Sequence, residues 1–173
     1  VLAWANDALH LDLSRASLLQ GVVAFGVAAG AVMAARKISL RNSVSVIPLG
    51  AAMGVVVMSM IFVEQIWVAV PLLVLVGGLS GFFVVPMNAL LQHRGHVLMG
   101  AGHSIAVQNF NENLSILLMT GVYSAMVSAQ LSINTIVAVF ALFVIACMLL
   151  IQRHHAQHQR RFDSVALLDD ATH

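Results

Sequence analysis

The sequence has little charge, one cysteine and three prolines, and the shortage of charge excludes the most classes of protein. Only 9% of its 173 residues are charged, whereas 60% are hydrophobic. A soluble domain carries about 25% charged residues and a disordered chain needs low hydrophobicity with high charge, so both classes are disfavoured. The formal net charge of +1 offers no basic surface to nucleic acid. An integral membrane protein is the class that remains.

The low cysteine count and the missing sequence motifs exclude several kinds of functional site. A single cysteine, Cys147, leaves no intrachain disulfide and no cysteine-based zinc site. A nucleophile elbow, a P-loop and a dinucleotide fingerprint are all missing, so we expect neither catalytic residues nor a cofactor. The chain starts at Val1 without the pattern of a signal peptide, and we expect it to be the C-terminal piece of a longer protein.

Long uncharged stretches are what the sequence has instead. A membrane-crossing helix needs about 20 mostly apolar residues, whereas barrel strands show alternating segments of about 10 residues. The stretches here are longer and do not alternate, so the sequence predicts an all-α integral membrane protein. We expect a transmembrane half-bundle over residues 1–152, then a tail over 153–173 that is either solvated or a short surface helix. The five transmembrane helices are expected at residues 16–35, 44–63, 66–91, 104–128 and 131–151.

Basic residues are distributed unevenly between the two ends of these spans. Lys and Arg concentrate on the cytoplasmic side of membrane proteins. In a five-span chain the first linker, the third linker (92–96) and the tail share one side. Arg15 alone lies opposite, which leaves seven of the eight Lys and Arg residues on that side. The charge pattern therefore predicts a cytoplasmic C-terminus.

Small residues at four-residue spacing let helix backbones approach closely. Three spans carry such a pair, and each is interpreted either as a sliding contact between helices or as tight static packing. Pro86 lies deep in the third span, where a proline can bend a helix. We expect helix packing to involve Pro86 and the paired glycines, which are Gly26, Gly30, Gly50, Gly54, Gly77 and Gly81.

The fourth span has the strongest polar signal. Glu112 is the only Asp, Glu, Lys or Arg between Arg94 and Arg153. A charge at the centre of a bilayer costs about 2.5–3.5 kcal/mol on insertion scales, and a helix starting near Ser104 places Glu112 about 12 Å deep. Gln108, Glu112 and Ser115 fall on one face at i, i+4 and i+7.

Two interpretations fit these residues, namely a solute pathway and a hydrogen-bonded packing network. Asn109, Asn111 and Asn113 lie on the same turns, while Asn88 and Gln92 follow Pro86 and share a face of the third span. The pathway interpretation favours these substrate-path residues: Glu112, Gln108, Asn88, Asn109, Asn113, Gln92 and Ser115.

Histidines form two clusters, which suggest a metal site at first sight. His93, His96 and His103 form one, and the tail carries His154, His155 and His158. Neither cluster has a carboxylate in a known ligand pattern, and the sequence H-E-x-x-H is absent. We interpret both clusters as loop and membrane-interface residues and predict no metal.

Two motifs resemble a known family. Residues 78–92 read GLSGFFVVPMNALLQ, and residues 100–109 read GAGHSIAVQN and continue through Glu112 and Asn113. Both are similar to the bacterial lysophospholipid transporter (LplT) family of the major facilitator superfamily. The resemblance implies that the five spans correspond to helices eight to twelve of a twelve-helix transporter, with the N-terminal six-helix half missing from this chain.

The resemblance also implies a function. Members of the family act as flippases that move lysophospholipids, chiefly lysophosphatidylethanolamine, inward across the bacterial inner membrane. An acyltransferase–acyl carrier protein synthetase, an implied partner, then reacylates the lipid. In this superfamily the site lies between the two halves near the membrane midplane, so the residues named above would form one wall of it, beside membrane lipid.

Two other functions remain open from the residues themselves. One is a proton-coupled major facilitator exporter of drugs or metabolites, with Glu112 as the proton carrier. The other is a scaffold that binds the acyltransferase without transporting anything. An uncoupler distinguishes the first, because proton-coupled export stops when the gradient collapses whereas facilitated lipid movement continues.

Overall fold

The computed structural model describes residues 1–159, and within them all regular structure is helical. Two short 3₁₀ helices, Leu40–Val46 and Met60–Phe62, lie on either side of the third α-helix. The all-α architecture predicted from the sequence is thereby confirmed, whereas residues 160–173 of the expected tail lie outside the described residues. The α-helices are α1 (Leu2–Leu9), α2 (Leu13–Lys37), α3 (Ile47–Ser59), α4 (Ile66–Met99), α5 (Ala101–Ser128) and α6 (Ile133–Gln159).

The helix ends follow from local chemistry. Pro48 occupies the first turn of α3, where its missing N–H costs nothing. Gln130 adopts the left-handed conformation, with φ of 55°, in the tight turn between α5 and α6. The Ser132 hydroxyl then accepts a 3.2 Å hydrogen bond from the backbone N–H of Thr135 and so caps α6.

Four helices of the described part are long and apolar enough to cross a membrane. They cover Leu13–Lys37, Ser43–Phe62, Ile66–Leu98 and Ile133–His154. The fourth expected span, α5, is a continuous helix of 28 residues, but its polar residues keep it out of this set. Large apolar side chains are open over much of the surface, including Phe62 at 83% and Trp67 at 86% exposed. A water-soluble surface does not tolerate so many, and the chain is a multi-pass membrane protein.

The third expected linker differs from the structure. Residues 92–96 were expected to join two spans because they are polar, but they form part of α4, which continues to Met99. The break comes at Gly100, whose φ of 82° and ψ of 155° lie in a region open essentially to glycine alone. A single residue therefore connects a helix of 34 residues to one of 28.

Packing is uneven across the bundle. Helices α2 and α4 make the most extensive contact, α3 and α6 form a second pair, and α5 contacts α4. One end of the bundle holds a cluster of buried apolar residues from α1, α2, the second 3₁₀ helix and α4. Its members are Trp4, Ala5, Ala16, Leu19, Met60, Val63, Ala69 and Leu73.

Candidate functional site

The polar residues of the fourth span lie together on the first half of α5, and we call Gln108, Asn109, Asn111, Glu112, Asn113 and Ser115 the polar belt. All of them except Gln108 are exposed in this structure, and Gln108 is half-buried. They surround the helix over about two turns, since 3.6 residues make one turn. A ring of amides and one carboxylate at membrane depth requires either protein or water beside it.

Two members of the polar belt hydrogen-bond to their own helix. The Asn113 side-chain amide donates to the Asn109 carbonyl at 2.8 Å, and the Ser115 hydroxyl donates to the Asn111 carbonyl at 2.8 Å. Bonds of this kind satisfy a side chain locally. They do not involve the carboxylate of Glu112, which is exposed and able to meet a cation.

Gln108 differs from the rest of the polar belt. Its side-chain oxygen Oε1 is buried, and it has no hydrogen-bond partner among the described residues. A buried acceptor without a partner costs about 1–3 kcal/mol. A donor from a substrate or from another protein segment would remove this cost, so Gln108 is the belt residue with the most to gain from a partner.

The predicted residues of the third span lie on α4. Asn88 is half-buried, Gln92 is exposed, and Pro86 is buried within a helix that continues past it. Helices α4 and α5 approach each other at Gly95 and Ser104. A Cβ on Gly95 would overlap the Ser104 hydroxyl. This contact was not predicted from the sequence, because its only sign there is a glycine, Gly95, within a polar stretch.

The paired glycines lie at two helix crossings. A Cβ added to Gly26 would lie 2.5 Å from the Val74 carbonyl oxygen, and one on Gly30 would overlap the backbone of Gly78. In the other direction, Gly77 and Gly81 meet the backbone carbonyls of Val23 and Val27. In both sets of contacts the residue numbers rise together along the two helices, so α2 and α4 run parallel.

At the second crossing, between α3 and α6, the glycines face side chains rather than backbone. A Cβ on Gly50 would lie 2.6 Å from the Met148 sulfur, and one on Gly54 would lie 2.6 Å from Cγ1 of Ile145. As the residue numbers rise along α3, those of the contacted residues on α6 fall, so α3 and α6 are antiparallel. Gly78, at the centre of the α2–α4 crossing, was missed from sequence because its neighbours at four-residue spacing, Val74 and Phe82, are large.

An apolar groove of about 420 Å³ lies beside the α2–α4 crossing. Helices α2, α3 and α4 all contribute to it, and its polar surface is very small. It is lined by Gly26, Ala29, Gly30, Met33, Leu49, Val74, Leu75, Gly78, Leu79 and Phe82. A groove of this composition at membrane depth accommodates hydrocarbon, either from bulk lipid or from a bound molecule.

Most of the basic residues lie towards the C-terminal ends of α2, α4 and α6. Arg36 and Lys37 form the last turn of α2, Arg94 lies in the last two turns of α4, and Arg153 is near the end of α6. At the start of α2, Arg15 lies 3.8 Å from Asp12. Within residues 1–159 no group of three or more His, Cys, Asp or Glu side chains is placed to hold a metal ion, and His93, His96 and His103 lie on helices rather than in a loop.

Known proteins are similar in sequence to this chain over most of its length. The chain is 42% identical over 134 residues to the lysophospholipid transporter LplT of Pectobacterium carotovorum, a match covering 77% of this chain and 33% of that protein. It is 40% identical over 159 residues to the LplT proteins of Shigella boydii and Escherichia coli O1:K1, covering 89% of this chain and 40% of each relative. The chain is a homologue of the LplT lysophospholipid transporters.

This relationship confirms the resemblance seen in the two motifs. The chain spans about two fifths or less of the length of the curated relatives it matches. No protein-family model matches it, and no solved structure matches it either.

Proposed function

We propose that the protein containing this chain transports lysophospholipids across the bacterial inner membrane. The observation that carries the proposal is 40% identity, over 89% of the chain, to proteins named lysophospholipid transporter. Transport runs inward and lysophosphatidylethanolamine is the chief substrate. An acyltransferase–acyl carrier protein synthetase then reacylates the lipid.

The polar belt of α5 supplies the path for the head group. Glu112, Gln108 and Asn88 form its C-terminal wall, and Asn109, Asn113, Gln92 and Ser115 extend it. Exposure of the belt supports this assignment, since a carboxylate and several amides at membrane depth are expensive when they face hydrocarbon. A six-helix N-terminal half, outside this chain, forms the opposite wall near the membrane midplane.

Charge complementarity gives Glu112 its role. The ethanolamine head group carries an ammonium, and a charge-assisted hydrogen bond between ammonium and carboxylate is about twice as strong as a neutral one. Within the described residues of the membrane-crossing helices between Arg94 and Arg153, Glu112 is the one formally charged side chain. We assign it to the ammonium, while the single acyl chain stays against apolar helix surface or bilayer.

The distribution of basic residues supports an orientation. Because α2, α4 and α6 end on the same side, Arg36, Lys37, Arg94 and Arg153 lie on that side. Basic residues favour the cytoplasm. The C-terminus is therefore cytoplasmic in this proposal, on the side where reacylation takes place.

The test uses the full-length protein in bacterial cells that lack their own lysolipid uptake. Labelled lysophosphatidylethanolamine is followed into acylated product for wild type, Glu112→Gln and Glu64→Gln at matched expression. Glu64 is the only other glutamate of the chain and is exposed between the second 3₁₀ helix and α4, so it is the matched control. We expect wild type and Glu64→Gln to restore uptake, and Glu112→Gln to lower it at least tenfold, because a charged hydrogen bond of about 1.5–3 kcal/mol is lost.

Each other result has a defined meaning. Equal uptake by all three proteins would leave lysolipid transport standing and remove Glu112 from the path. A correctly inserted wild type without uptake would overturn the lysolipid proposal. Movement that stops when an uncoupler collapses the proton gradient would instead favour a proton-coupled exporter.

A further inference from the structure

The junction between α4 and α5 has unusual geometry for two helices of such length. Gly100 is the only residue between them. Its N–H donates to the His96 carbonyl at 3.1 Å and so completes α4, while its carbonyl accepts from the Ser104 N–H at 3.1 Å and starts α5. Any change of angle between the two helices is therefore concentrated in the backbone of one residue.

The conformation of that residue is one that glycine alone adopts readily. Gly100 has φ of 82° and ψ of 155°, and a Cβ placed on it would meet nothing within 4 Å. Space is thus not what requires glycine here. The backbone conformation requires it, and the same lack of a Cβ leaves other backbone angles open to this residue.

A second contact joins Gly95, five residues before Gly100, to Ser104, four residues after it. A Cβ on Gly95 would overlap the Ser104 hydroxyl and lie 2.7 Å from the Ser104 Cβ. Ser104 is 7% exposed and is the single buried residue of α5. Farther along α5, Gly121 has no neighbour within 4 Å of a Cβ position. The close approach of α4 and α5 that the glycines reveal therefore lies at Gly95 and Ser104, near the start of α5.

We propose that Gly100 and the Gly95–Ser104 contact form a hinge, and that α5 rotates about it during transport while α2 and α4 move as one unit. This inference rests on the proposed function, since it names the moving part of the same site. Glu112 lies eight residues beyond Ser104, so it is about 12 Å from the pivot, and a rotation of about 20° moves it by about 4 Å. That displacement is enough to make or break a hydrogen bond to a head group.

The unpartnered oxygen of Gln108 supports rotation. It lies one turn beyond Ser104, and it is buried without a hydrogen-bond donor among the described residues. An orientation of α5 that supplies a donor, from protein or from lipid, is favoured over the present one by that hydrogen bond. A second orientation of α5, in which Gln108 Oε1 accepts a hydrogen bond, is thus lower in free energy by that bond, and rotation at the hinge makes this orientation accessible.

The experiment measures the movement directly in the full-length protein. Spin labels replace Phe25 on α2 and Leu117 on α5, which are 71% and 69% exposed, in a background with Cys147→Ser. Pulsed electron–electron resonance gives the distance distribution in nanodiscs with and without lysophosphatidylethanolamine. We expect a shift of several ångströms on adding the lipid.

Three variants test the pivot. Gly95→Ala introduces the clash with Ser104 and should leave one distance that lipid does not move. Gly95→Ala with Ser104→Gly removes the clashing hydroxyl and Cβ together and should restore the shift. Gly102→Ala, beside the hinge but with nothing within 4 Å of its Cβ, should behave as wild type. If Gly95→Ala does not fold, Ser104→Gly alone serves, and it should broaden the distribution.

The outcomes separate the hinge from the proposed function. A labelled wild type that transports lysolipid with a single, unmoved distance would overturn the hinge and leave the function intact. A lipid-dependent shift unchanged in Gly95→Ala, or an unbroadened distribution in Ser104→Gly, would also overturn it. If wild type fails to transport lysolipid yet its distance shifts with the lipid, the hinge stands and the transport proposal falls.

Discussion

Helices α2 and α5 are of similar length, at 25 and 28 residues, yet they meet their neighbours in opposite ways. Along α2, glycines at two successive turns remove the side chains between it and α4, so that backbone lies against backbone. Along α5, the single buried residue is Ser104, and the polar side chains that follow it are open. Helix α2 thus packs backbone to backbone against its neighbour over two successive turns, whereas α5 makes its close approach to α4 near its start.

This difference separates two tasks in one bundle. In a bilayer no hydrophobic force drives helices together, so association depends on close van der Waals packing and hydrogen bonds. The α2–α4 pair obtains that packing from glycine. Helix α5 has polar groups where α2 has glycines, and in the proposed function it lines the transport path while the α2–α4 pair stabilises the bundle.

The largest expected effect comes from breaking the α2–α4 crossing. Gly30→Ala places a Cβ against the backbone of Gly78, and backbone cannot move aside, so we expect a loss of stability of about 1–3 kcal/mol. Thermal unfolding of the full-length protein in detergent measures it. Gly21→Ala is the control on the same helix, because Gly21 is exposed with nothing within 4 Å, and it should be neutral or slightly stabilising. Equal losses in both variants would show that the crossing does not hold the pair together.

A smaller effect is expected at the α3–α6 crossing. Gly50→Ala meets the Met148 thioether, and a methionine side chain is flexible enough to move. We expect a loss below about 1 kcal/mol, since most of the overlap relaxes. The same unfolding measurement, with Gly50→Ala and Met148→Ala combined, checks the cause. The overlap is the wrong explanation if the double variant costs as much as the two single changes added together.

The smallest effect on stability is expected in the polar belt. Ser115→Ala removes a hydroxyl that donates to a carbonyl of its own exposed helix, so the change should stay within about 0.5 kcal/mol. Unfolding in detergent is again the measurement, with Asn113→Ala as a second case of the same local bond. A loss as large as that from Gly30→Ala would make the belt a packing network, the interpretation that the sequence alone left open.

Much of the fold was predictable from the sequence because composition fixes it. Apolar runs near 20 residues predict membrane helices whatever their neighbours, and four helices within residues 1–159 have that character. The linker predicted at Gln92 to His96 is wrong, because these polar residues continue α4 and polarity alone does not mark a helix end. The conformation of Gly100 ends α4 instead, and polarity does not encode backbone angles.

The site was predictable in part. The polar belt follows from Glu112 being isolated among apolar residues, so its residues could be named. Its partners could not, because helix orientation depends on contacts between residues far apart in the chain. The approach of Gly95 to Ser104 is of this kind, and so is Gly78 at the centre of the α2–α4 crossing.

The most direct test of this separation of tasks measures stability and transport on the same Glu112→Gln protein. Full-length wild type, Glu112→Gln and Glu64→Gln are reconstituted in liposomes, where the initial rate of lysophosphatidylethanolamine movement and the thermal unfolding midpoint are both recorded. We predict that Glu112→Gln unfolds at the wild-type temperature while its transport rate falls at least tenfold, because about 1.5–3 kcal/mol of charged hydrogen bonding to the substrate is lost. A transport rate that falls only together with the unfolding midpoint would contradict the account, and Glu112 would then be a residue of the packed scaffold.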